Sequence, residues 1–157
     1  MSAFIYARRT FSSERENMEL LDLRFSEKTL KILKGLAGQV FEKYRCDPSI
    51  FHPVYLLPVG IYASGKCYIM TQEITDKAAG GKKTDVLEWV FREAEEKEIH
   101  SSRPAVVQED HALQKEIKEV RIINEKKTLF RRGKAEYRVY LTKAVRFIFE
   151  KGYLQIR

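Results

Sequence analysis

The sequence predicts an α+β fold, a single compact domain with helices packed on a mixed or antiparallel sheet. Three observations lead there. The chain has 157 residues, about the length of one domain. Its side chains are 44% hydrophobic and 32% charged, enough for a buried core and unlike a disordered composition. Short stretches of helical period also alternate with short stretches of strand period, without the regular spacing of βαβ units.

Near the start, residues 3–7 alternate as a short strand, and Ser13-Glu14-Arg15-Glu16 has the pattern of a capping box. A helix is predicted over 26–45. Ser26 caps it, Leu30, Leu33, Ala37, Val40, Phe41 and Tyr44 recur at steps of three and four, and Asp47-Pro48 ends it. Residues 54–70 read as a β-hairpin turning at Ser64-Gly65. Residues 75–84 lose their hydrophobic side chains and read as a loop. Thr84 then caps a second predicted helix, with Leu87, Val90, Phe91 and Ala94 on one face, ending near Glu98. Ser101 to Pro104 break the pattern, and a third helix is predicted over 109–120 with Leu113, Ile117 and Val120 buried. A second hairpin follows, turning at Arg131-Arg132-Gly133-Lys134 and returning through Tyr137 to Leu141. The tail has two readings. Residues 142–151 form a helix closed by Gly152, or Val145, Phe147 and Phe149 alternate in a strand with a turn at Lys151-Gly152.

Charge divides the domain. The net +7 comes from 29 basic and 22 acidic side chains, but residues 61–120 carry 9 basic and 12 acidic groups while residues 121–157 carry 11 and 3. An acidic middle is therefore followed by a basic C-terminal segment, and such a concentration suits a polyanion, most often nucleic acid. No apolar run approaches the ~20 residues of a membrane span. The N-terminal residues lack a basic stretch ahead of an apolar one, so no signal peptide, no membrane partner and a cytoplasmic location are expected. Cys46 and Cys67 form neither a CxxC pair nor a disulfide framework. His52, His100 and His111 have no metal-ligand spacing, although His100 lies near the acidic helix end and is a remote general-base candidate.

Two groups of residues carry possible chemistry. Gly80-Gly81-Lys82-Lys83-Thr84 lacks the spacing of a P-loop, because Asp76 and Lys77 stand where its first glycine is needed. Placed before a helix N-terminus, the same residues have free backbone N–H groups and lysines that attract a phosphate. Asp85 and Glu88 follow three residues apart, on one face of the first turn of the predicted helix. Two such carboxylates hold a divalent ion, Mg²⁺ or Mn²⁺, through hard oxygen ligands. Beside a basic loop, they are the minimum for metal-assisted phosphodiester hydrolysis, with Glu88 the preferred catalytic group. The plain alternative is that acidic residues in a first turn complement the helix dipole. Lys82, Lys83, Arg131, Arg132, Lys134 and Arg138 are the expected phosphate contacts, the last four on the second hairpin. The function expected is a metal-assisted nuclease on double-stranded DNA. The alternatives are a DNA- or RNA-binding protein without chemistry and a protein-binding adaptor.

Leu57 to Lys66 resembles the Gly-Ser-x-Ala-x-Gly hairpin of nucleotidyltransferases. Ile61 replaces the serine, and Glu73 alone stands for the paired aspartates, so that activity is not carried over. In size, charge, richness in lysine and glutamate and its two asparagines, the whole chain is similar to small basic proteins of filamentous viruses of hyperthermophilic archaea, among them a small α+β nuclease. That resemblance implies cleavage of double-stranded DNA in the host cytoplasm.

Overall fold

A computed structural model describes residues 20–46, 59–79, 82–99 and 109–157. The architecture corrects the α+β expectation. Among the described residues there are nine strands in two sheets and only two helices, of eight and four residues. The strands are β1 (Leu20–Leu23), β2 (Val40–Cys46), β3 (Val59–Ala63), β4 (Lys66–Ala79), β5 (Lys82–Glu93), β6 (Glu109–Glu116), β7 (Glu119–Arg131), β8 (Lys134–Ile148) and β9 (Tyr153–Ile156). The helices are α1 (Glu27–Lys34) and α2 (Glu96–Ile99).

One sheet has the order β5-β4-β3-β2-β6 and is antiparallel throughout. In the other, β7 lines one edge of the long β8, while β1, parallel, and β9, antiparallel, share its opposite edge. The chain passes between the sheets at Ile117 and Lys118. There Gly38 N–H donates to the Ile117 carbonyl (2.7 Å), Ile117 N–H to that of Gln39 (2.8 Å) and Lys118 N–H to that of Ile148 (2.7 Å). One core is shared by both sheets. Phe41, Ile61, Met70 and Phe91 meet Val120, Val145 and Phe147, with Leu33 of α1 and the corner residue Ile117 completing the cluster. The Phe41 and Phe147 rings sit edge to face at 5.2 Å.

Three predicted helices fail for related reasons. The first is capped by Ser26, whose side chain accepts from Thr29 N–H at 3.2 Å, but it ends at Gly35. Gly38 then reverses the chain at φ +85°, and the β-branched and aromatic run Val40-Phe41-Glu42-Lys43-Tyr44 finds strand partners on both edges. The second lies instead in β5, paired with β4 over twelve consecutive registers, with Trp89 and Phe91 alternating onto the core. The expected loop 75–84 is mostly ladder as well, since Ala79 pairs with Lys82. The third is split into β6 and the start of β7. Both hairpin turns are found where expected: Ser64-Gly65 (φ 49° and 75°) and Arg132-Gly133 (φ 51° and 77°) are two-residue turns with positive φ at both positions. The tail is the strand alternative, its turn closed by Phe149 N–H donating to the Gly152 carbonyl. The elements expected at 3–7, 13–16 and 54–58, the break at 101–104, and His52 and His100 lie outside the described residues.

Candidate nucleic-acid interface

β7 and β8 form a hairpin of thirteen and fifteen residues. β1 pairs with β8 from Arg138 to Leu141, so among the described residues the hairpin continues from there to its tip as two strands alone. One face of this arm anchors it. Leu21 and Leu23 oppose Val139 and Leu141, and Leu21, Leu23 and Val139 are buried. The register places Lys126 opposite Tyr140 and Thr128 opposite Arg138, so these four share the other face. Arg24 joins them from beyond the end of β1. Its guanidinium lies 4.2 Å from the Tyr140 ring centre, and the Lys126 ammonium lies 5.1 Å from it. Arg24 also bonds Asp22 through Nε and Nη2 at 3.0 and 2.8 Å, which holds its pKa well above the ordinary arginine value.

A register shift between Ile123 and Asn124 changes which residues of β7 turn inward. Val120 is buried before it; after it Glu125 is half-buried, while Lys126 and Thr128 are exposed. Residues 124–140 contain six basic and two acidic side chains, a net +4. Of the phosphate contacts expected here, Arg131 and Lys134 pair across the turn, Arg132 is exposed within it, and Arg138 is half-buried beside Leu20. Sequence reasoning missed Lys126, Arg24 and Tyr140 as one surface. Counting alternate residues back from the Arg132-Gly133 turn brings Lys126 and Thr128 to one face, but the contribution of Arg24 depends on the parallel β1 pairing.

The helical geometry predicted for the carboxylate pair is corrected. Asp85 and Glu88 lie on strand β5, not in a helical turn, and three residues along a strand point to opposite faces. Each meets a different acid. Asp85 is opposite Asp76, and Glu88 is opposite Glu73. A hydrogen bond to Asp85 and the charge beside it push the Asp76 carboxyl above its ordinary value. Glu88 accepts from Thr75 Oγ1 at 3.0 Å. Lys82 and Lys83 pair with Ala79 and Ala78 on the same hairpin, so no helix begins at Thr84 to present the expected anion site. From Thr71 onward, β4 has β5 as its only strand partner among the described residues. This second arm, residues 71–90, carries four acidic and three basic side chains, a net −1. The two features read together in the sequence thus belong to hairpins in different sheets.

Other charged groups pair with one another within the structure. On the five-stranded sheet, Asp110 takes hydrogen bonds from Lys43 (2.9 Å) and from Arg45 through Nε and Nη2, which lowers its pKa far below the usual carboxylate range. Arg45 also reaches Glu96 of α2 at 3.3 Å. Burial raises the Tyr62 phenol to about 12 and raises the Cys67 thiol as well, so Cys67 remains a thiol rather than a reactive thiolate. Cys46 is buried. His111 stacks on Tyr44 at 4.8 Å. A cleft of about 340 Å³ at the corner between the sheets is lined by Lys115, Glu116, Lys118, Phe149, Glu150 and Lys151, with Lys118 bonded to Glu116 at 3.0 Å. No group of three or more His, Cys, Asp or Glu side chains among the described residues is arranged to share a metal ion. No helix among them is long and apolar enough to cross a membrane. No protein-family model, no curated protein and no solved structure matches this chain.

Proposed function

We propose that this protein binds double-stranded DNA through the β7–β8 arm, acting in the cytoplasm. One observation carries the reading: a two-stranded arm of net charge +4, one face of which carries Lys126, Arg138 and Tyr140, with Lys126 and Arg24 set against the Tyr140 ring. A two-stranded ribbon fits a DNA groove, and phosphate contacts supply most of the affinity of such a fit. The aromatic ring gives both cations a fixed seat, so less freedom is lost when they meet phosphate.

Titrating a labelled duplex with the protein at increasing salt tests this. With three to five phosphates engaged, log affinity should fall linearly with log salt, at a slope of roughly −2.7 to −4.5. Arg138→Ala and Lys126→Ala should each flatten the slope by about 0.9. A flat profile for the unaltered protein would sink the reading.

The acidic arm favours a second reading, metal-assisted cleavage of the bound duplex. Asp76 and Asp85 are cross-strand partners, and paired carboxylates can hold a divalent cation, Mg²⁺ or Mn²⁺, through hard oxygen ligands. Here Asp85 acts with Asp76 rather than with Glu88. Nicking of circular duplex with Mn²⁺ that is lost in Asp85→Asn supports it; intact DNA under both ions leaves the binding function alone.

A further inference from the structure

We infer that Phe130 is a wedge that the β7–β8 arm drives between stacked base pairs, so that the protein kinks the duplex it binds; this rests on the duplex-binding reading. Phe130 is 60% exposed, far more than the phenylalanines of the core. It sits one residue before the Arg131–Lys134 pair that closes the turn. A second register shift, between Leu129 and Phe130, leaves Glu136 as the extra residue on β8 at this point. Such bulges re-aim side chains, and this one occurs where an apolar ring stands out at the end of a charged arm.

The chemistry around the ring selects its partner. A phenylalanine in water is unfavourable, and its neighbours in sequence, Arg131, Arg132 and Lys134, are suited to an anionic surface. A base step offers both environments: phosphates outside, and between the bases an apolar slot the thickness of one ring. The tip is closed by the two-residue turn Arg132-Gly133, so the arm ends in a tight hairpin with Phe130 close behind it. The minor groove is where apolar side chains inserted in this way unstack a step and bend DNA toward the major groove. The flexible pyrimidine–purine steps are the preferred targets. A lipid surface is the other partner that arginine and an aromatic ring can suit, but it rewards a broader apolar patch, and among the described side chains of this arm Phe130 is the one large hydrophobic that is exposed.

A duplex with 2-aminopurine beside a central TA step, and with donor and acceptor dyes at its ends, tests the inference. The unaltered protein should brighten the 2-aminopurine and increase energy transfer between the ends. Phe130→Ala should abolish both signals and bind about ten-fold more weakly, with an unchanged salt slope. Phe130→Trp should retain both signals. Binding with the expected salt slope but without unstacking or bending overturns the wedge and leaves duplex binding intact, as does unaltered bending by Phe130→Ala. Absence of salt-dependent duplex binding removes the underlying reading and the wedge with it. Tighter binding to vesicles of anionic phospholipid than to duplex, lost in Phe130→Ala, assigns the ring to lipid and overturns the inference.

Discussion

Asp110 shows how much structure one carboxylate organises. It lies on β6, at the edge of its sheet, where it pairs with both Arg45 and Lys43 from the neighbouring β2. The Arg45 side chain is only 12% exposed, so removal of this acid partner leaves a largely desolvated guanidinium with Glu96 as its remaining acidic partner among the described residues. Because the folded state lowers the pKa of Asp110, the stability it contributes is fully present above the unfolded value of about 3.9 and is lost as pH falls towards the folded value. The carboxylate is 39% exposed, and solvent screening reduces that contribution to about 1 kcal/mol. Asp110→Asn is therefore expected to lower stability to urea by about 1 kcal/mol near neutral pH, and the gap to the unaltered protein should close between about pH 5 and pH 2. A gap that stays constant across this range would show that the pair contributes through shape and not through charge.

At the scale of elements, α2 is held by a fit the sequence does not announce. Ile99 is fully buried against Gly60, where a Cβ would come within 2.5 Å of Ile99 Cγ2 and 2.8 Å of its Cδ1. Glu96 and Glu98 then bind Arg45 and Arg92 of the sheet beneath. Gly60→Ala is expected to cost about 1–3 kcal/mol by overpacking, and Ile99→Ala about 2–5 kcal/mol by loss of the contact and the cavity left behind. Together they should cost less than the sum, because the added methyl occupies the space that Ile99 vacates. A double-mutant cycle in urea measures this, and strict additivity would rule out the direct contact. Turn chemistry at Ser64-Gly65 and Arg132-Gly133 was legible because it is local: each two-residue turn places a glycine where φ is positive, between two runs of strand period. The helix over 26–45 was misread because Val40, Phe41 and Tyr44 keep helical spacing with Leu33, while their secondary structure is decided by β3 and β6, which are distant in sequence. The same cause separated Asp85 from Glu88. Helical spacing puts them together, and pairing with β4 gives each a different neighbour.

At the scale of the whole molecule, the two sheets serve separate arms yet share one core, and this decides how the protein unfolds. Trp89, the single tryptophan, packs on Phe25 at 5.3 Å from the five-stranded sheet. Phe147 belongs to the other sheet and reaches Phe41 across the interior. If the shared core makes the fold one cooperative unit, damage at Phe147 must be felt at Trp89. Phe147→Ala is expected to cost about 3–5 kcal/mol, a large part of the roughly 5–15 kcal/mol that holds a typical domain together. Phe130→Ala, on the exposed tip, should change stability by no more than about 0.5 kcal/mol. Urea transitions followed by tryptophan emission and by far-ultraviolet circular dichroism should coincide in the unaltered protein, and in Phe147→Ala they should move together to lower urea. A circular dichroism transition that shifts while the tryptophan transition stays in place would mean that the sheets melt independently. The basic arm would then rest on a separate unit, and a load on DNA at its tip would not reach the acidic arm.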